Sequence, residues 1–146
     1  MADHIRQQIR DRAVTTCTGL TTTGANVFQS PIITAESQTL PALLVYISNE
    51  DVGLDASMGI LQRQASLEIH GYVEASATVF DTLDLISKEV EIAIAGDRTL
   101  NSLVQDTWLQ STEIVLDPEG SRPLGIIQMS FYTSYRTTHL TPDVSA

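Results

Sequence analysis

Residues Leu40–Ser48 read LPALLVYIS. Seven of the nine are apolar without alternation, and Pro41 stands at the entrance, where a missing N–H costs a strand least. The pattern predicts a short strand buried on both faces, which needs layers above and below it and would suit the centre of a sheet. Asn49, Glu50 and Asp51 follow directly, opening a stretch to Gly59 that reads as a long acidic loop. That loop carries no nucleophile and no glycine cradle, so it reads as a contact surface rather than a catalytic one.

Outward from this strand the hydrophobic period changes. From Leu61 to Val73 it is two: Ala65, Leu67, Ile69, Gly71 and Val73 share one face, while Gln64, Ser66, Glu68 and His70 share the other. The same alternation returns in Leu124–Arg136, with Ile127, Met129, Phe131, Thr133 and Tyr135 together. Trp108–Leu116 reads as its hairpin partner across the turn Asp117-Pro118-Glu119-Gly120, and Ala25–Gln29 as a short additional strand.

Two stretches have helical spacing instead. In Asp3–Thr18 the residues Ile5, Ile9, Ala13 and Cys17 recur every four, and Gly19 supplies a left-handed stop. In the second, Val79, Leu83, Ile86, Val90 and Ala93 form the core stripe, Thr78 with Asp81 suggests a capping box, and the helix closes near Gly96. Leu85 and Ile92 fall off that stripe, as on a helix covered on a second side by another element or another subunit. The order is helix, three strands, helix, two strands. This predicts an α+β fold: a largely antiparallel sheet of about five strands with both helices packed on one face. Residues 1–146 form one domain on this reading, with Thr137–Ala146 an extended tail on the surface or on a neighbour.

Composition narrows the function. Eighteen acidic residues stand against eight basic ones, a formal net charge of −10, and Lys88 is the one lysine. A grip on nucleic acid needs a basic patch, and apart from Arg6, Arg10 and Arg12 the arginines are scattered. Cys17 has no partner for an intramolecular disulfide and fits a reducing compartment. No run of about 18 apolar residues suits a membrane span, and MADHIRQQIR lacks the apolar core of a signal peptide.

Chemistry-bearing patterns are weak throughout. GxSxG, P-loop, GxGxxG and HExxH patterns are missing. Glu68 and His70 lie two apart on a strand and share a face, which is the spacing of a metal pair, but a third ligand is not evident; polar residues on a wet strand explain them better. Asn49, Asp51, Gly53 and Asp55 imitate a calcium loop without its closing glutamate, so a solvated acidic loop is the better reading. Trp108, Tyr132 and Tyr135 suit sheet or interface packing more than base stacking, because the basic groove is missing. No metal, cofactor or catalytic residue is expected, and the chain reads as a non-enzyme.

Taken in order, DHIRQQIRDRAV, TGLTTTGANVF, LPALLVYISNED, LQRQASLEIHGYVEA, FDTLDLISKEVE and WLQSTEIVLDPEGSRPLGIIQMSFYTSYRT resemble the tail terminator proteins of long-tailed bacteriophages and related prophages. The resemblance spans Asp3–Thr137 and implies a structural virion protein at the tail–head junction, assembled in the host bacterial cytoplasm. Such proteins cap the finished tail tube as a six-membered ring, stop its polymerisation and offer the head-attachment surface. The implied partners are further copies of the chain, the major tail tube protein, a head completion or neck protein, and genomic DNA passing the lumen without specific binding. Six copies at −10 carry about −60, and an acid-rich lumen lets DNA slide. Candidate contact residues are Glu50, Asp51 and Asp55 in the acidic stretch and Asp117, Glu119 and Arg122 at the hairpin tip, with the tail as a third contact. The alternatives are a head completion or neck protein on the portal side and, more distantly, a small metal-dependent hydrolase using Glu68 and His70.

Overall fold

The computed structural model describes residues 3–29, 40–54, 59–117 and 123–145. Its elements are α1 (Ile5–Cys17), β1 (Val27–Phe28), β2 (Ala42–Leu54), β3 (Ile60–Glu74), α2 (Val79–Ala95), β4 (Asp106–Asp117) and β5 (Leu124–Thr138). The strands form one sheet in the order β1-β2-β3-β5-β4, antiparallel except for the short parallel β1–β2 pair. The fold is α+β, with a mostly antiparallel five-stranded sheet and two helices.

Both helices pack on the same face of the sheet. Ile5, Ile9, Ala13 and Cys17 of α1 and Val79, Leu83, Ile86, Val90 and Ile94 of α2 join Leu43, Val45, Leu67, Ile69, Ile127, Met129 and Phe131 in a single core. The buried α2 stripe ends on Ile94, with Ala93 only half-buried. Glycine sets how near α2 can come. A Cβ on Gly125 would lie 2.4 Å from Val79 Cγ2, and one on Gly71 would lie 2.9 Å from Ile86 Cγ2, so both strands need glycine under the helix.

The structure departs from the sequence reading in several places, each for a physical reason. β2 does not stop at Ser48; it runs to Leu54 and pairs with β3 as far as Leu54↔Leu61, so most of the expected acidic loop is strand. A bulge at Ser48 hides this, because one extra residue reverses which side chains point inward. Nor is β2 buried on both faces: Leu43 and Val45 are buried under the helices, whereas Leu44 and Tyr46 on the opposite face are only half-buried. β3, not β2, is the central strand, with β1 and β2 on one side of it and β5 and β4 on the other.

At the start of α2 the Thr78 side chain makes no capping bond, although Asp81 does sit in the first turn, near the positive end of the helix. α1 is capped instead by His4, whose Nδ1 accepts from the Arg6 N–H at 3.0 Å. β5 continues to Thr138, and residues 139–145 then turn back over the surface of α1. There the Pro142 carbonyl accepts from the Ile5 N–H and the Asp143 carbonyl from Gln8 Nε2, both at 3.0 Å.

Candidate partner-contact surfaces

The inward turn that follows the Ser48 bulge builds the best-defined polar cluster. Glu50 lies opposite Ala65 on the helix-covered face, and its carboxylate accepts hydrogen bonds from Arg6 of α1 and from the Tyr135 hydroxyl of β5. Arg63 Nη1 stands 3.5 Å away, while Arg63 Nε donates to Thr137 Oγ1 at 2.9 Å. Burial pushes the Glu50 carboxyl upward, but Tyr135, Arg6 and Arg63 outweigh it and hold the group below its ordinary value. Burial, together with the Glu50 charge, pushes the Tyr135 phenol well above its ordinary value. Glu50 was a candidate contact residue; the structure uses its carboxylate to tie the end of β2 to α1 and β5.

The opposite face of the sheet carries no helix among the described residues. On it the register places Tyr46, Asp51, Glu68, His70, Tyr72, Glu74, Asp106, Trp108, Glu113, Asp117, Gln128, Ser130, Tyr132 and Arg136. Its carboxylates are Asp51, Glu68, Glu74, Asp106, Glu113 and Asp117, and Arg136 is the one arginine there among the described residues. The face is therefore strongly acidic. Trp108 stacks on Tyr132 with ring centroids 4.2 Å apart, which matches sheet packing rather than a base platform.

Glu68 and His70 do meet on this open face, with His70 Nε2 3.7 Å from Glu68 Oε1. Glu68 accepts from Ser130 Oγ at 2.5 Å, and Tyr46 stands edge-on to the imidazole at 5.2 Å between ring centres. Burial lowers the His70 pKa, and the Glu68 charge only partly offsets it. No group of three potential metal-ligating side chains gathers among the described residues. The calcium-like spacing also fails in three dimensions. Asn49, Asp51 and Gly53 lie on one face of an extended strand at steps of about 6.8 Å, too far apart to wrap one ion.

A third surface lies between α2 and β4. It is an open groove of about 570 Å³ lined by Glu91, Ile92, Ile94, Trp108, Leu109 and Phe131, among others. Arg98 and Asp106, also in its lining, form a two-pronged pair at 3.0 and 2.7 Å. Leu85 and Ile92, the two apolar residues that fall off the core stripe, are exposed. Of the remaining candidates, Asp51 and Asp117 stand on the acidic face, the latter at the end of β4. Asp55, Glu119 and Arg122 lie outside the described residues.

One residue that the sequence did not single out proves structurally central. Asp97, just past α2, accepts from Arg12 Nε at 2.8 Å, Thr16 Oγ1 at 2.7 Å and the Asn101 N–H at 3.1 Å. It anchors the turn in which Leu100, Asn101 and Ser102 all adopt positive φ, and it ties α1 to that turn.

No protein-family model matches the chain, and no curated protein matches it by sequence. Among solved structures, a chain from the virion of a native gene transfer agent particle is similar, with 11% identity, 92% of each chain covered and a TM-score of 0.45.

Proposed function

We propose that this chain is a structural virion protein of the tail terminator type. On this reading copies of it form a ring of six on the end of the tail tube, end tube polymerisation and present the surface to which the head, through its completion or neck protein, attaches. The observation that carries the reading is the open, acidic face of the sheet. In a closed ring one face of each sheet lines the bore, and a bore lined by Asp51, Glu68, Glu113 and Asp117 repels the phosphate backbone and lets DNA pass without sticking. The helix-covered face then turns outward and supplies the rigid support. Covalent chemistry has no part in this function; its mechanism is ring closure by a heterologous contact repeated until the last copy meets the first.

Tail length in a phage lacking the gene tests the proposal. Overlong tails of uncontrolled length, restored to normal by the supplied chain, are the expected result. Tails of normal length on head-free particles would refute it and favour a neck protein acting on the portal side. Electron microscopy of the purified chain added to tail tubes gives an independent reading, with ring-shaped density on tube ends as the expected image.

A further inference from the structure

We infer that the α2–β4 side of one copy seats the α1–β2 side of a second copy, head to tail. The inference rests on the ring reading above and supplies its contact. Three features of the two sides support it.

The first is charge. α1 carries Arg6, Arg10 and Arg12 against Asp11, a net of +2, and Glu50 and Asp51 of β2 bring the α1–β2 side to zero. α2 carries Asp81, Asp84, Glu89 and Glu91 against Lys88, a net of −3, and β4 adds Asp106, Glu113 and Asp117 for a combined −6. The sheet order puts α1 over the β1–β2 end and β4 at the other end, so the charge of the chain is unevenly spread, neutral on one flank and −6 on the other. A neutral flank that presents Arg10 meets the acidic flank without the repulsion that two acidic flanks would feel, which favours stacking of copies in one direction.

The second is an unpaired cation. Arg6 is taken by Glu50 and Arg12 by Asp97. Arg10, one turn beyond Arg6 on the flank away from Arg12, has a buried Nε that finds no acceptor among the described residues. A buried guanidinium nitrogen without a partner is costly, and the Arg10 side chain is only half-buried, so turning its guanidinium toward a carboxylate of a second copy relieves that cost.

The third is unpaired backbone and apolar surface on both sides. The outer edge of β4 pairs with no strand over residues 106–116 among the described residues, and β1 covers β2 only at Leu43 and Leu44, leaving its length to Leu54 open. Beside the β4 edge lies the groove with Ile92 at its rim, 63% exposed; at the β2 end Leu54 is 78% exposed. These surfaces cannot meet within one chain, because β3 and β5 hold β2 and β4 about 15 Å apart. A second copy brings them together without any change of fold. The contact joins two different patches, so it propagates and closes as a ring if the rotation allows.

The test uses the full chain in sedimentation velocity and native mass spectrometry across a concentration series, with Arg10→Glu, Glu91→Arg and their equimolar mixture. Wild type is expected to associate into a closed species. Each reversal should weaken association by about tenfold or more. The mixture should recover it, since every contact between unlike copies again joins opposite charges and an even-numbered ring of alternating copies closes. Unchanged circular dichroism and Tm of the single variants establish that they fold, with Arg10→Gln as the milder substitute where Arg10→Glu does not. Wild type that stays monomeric to about 1 mM, or rings indifferent to both reversals, or a mixture that fails to recover, overturns the inference. Because tail length in the deletion phage is read separately, a failed contact and a failed terminator role give different results.

Discussion

Adjacent residues of β5 belong to two different environments. Ile127, Met129, Phe131 and Tyr135 are sealed beneath α1 and α2, while Gln128, Ser130, Tyr132 and Ser134 are half-buried although no described helix covers them. The half-burial of the second set comes from cross-strand neighbours: Trp108 on Tyr132, Glu68 on Ser130, and Gln62 and Gln105 on Ser134. A sheet face of large polar side chains thus shields itself laterally without needing a second layer. The difference separates stability from contact, since the closed face holds the fold and the open face is free to carry charge.

Substitutions should divide along this line. Phe131→Ala removes a ring 2% exposed at the floor of the α2–β4 groove and should cost about 3–5 kcal/mol in urea unfolding. A cost below about 1 kcal/mol would erase the distinction between the faces.

Next in size is Glu50→Gln, which leaves Arg63 without a counter-charge in a nearly buried site. Its expected cost is about 2–4 kcal/mol at neutral pH, reduced from the fully buried case because Arg6 is half-exposed. The sign of the pH effect follows from the lowered carboxyl pKa. The stabilisation is complete above the unfolded-state pKa and is lost as pH falls through the lower folded-state value. Stability of Glu50→Gln should therefore fall less steeply in acid than that of wild type, and parallel acid limbs would show that Glu50 is not the group responsible.

Gly125→Ala should cost about 1–3 kcal/mol, because the new methyl overlaps Val79 Cγ2 and α2 must lift. A rise in Tm would mean that α2 yields freely and that the gain from restricting the unfolded chain wins.

What the sequence disclosed tracks the same division. β3, β5 and α1 were legible because one face of each meets apolar neighbours and the other does not, which writes a period into the residues. The second half of β2 was not, because the Ser48 bulge shifts its parity and its tip projects beyond the helices, so Val52 and Leu54 sit among polar residues without a pattern. The Glu50 cluster was hidden for another reason. Arg6 and Tyr135 lie 44 and 85 positions away in sequence, and no local rule joins them. Strand order escaped for the same cause, since β3 pairs with β5 across an intervening helix and strand. The apparent capping box at Thr78 shows the converse, a local pattern whose side-chain bond the structure does not make.

The smallest effect belongs to Trp108→Ala on the open face. Trp108 is 49% exposed and packs chiefly on Tyr132, so its removal should cost about 1 kcal/mol of monomer stability, the scale of one aromatic pair. Trp108 also borders the groove inferred to receive a second copy, where a tryptophan covered on association contributes far more to binding than to folding. The two measurements should therefore diverge: Tm nearly unchanged, association weakened by about tenfold or more. A large fall in Tm would mean that the open face shares in holding the fold, and the division drawn between the faces would have to move. Stability and association both unchanged would leave Trp108 as exposed surface and shift the contact away from the groove.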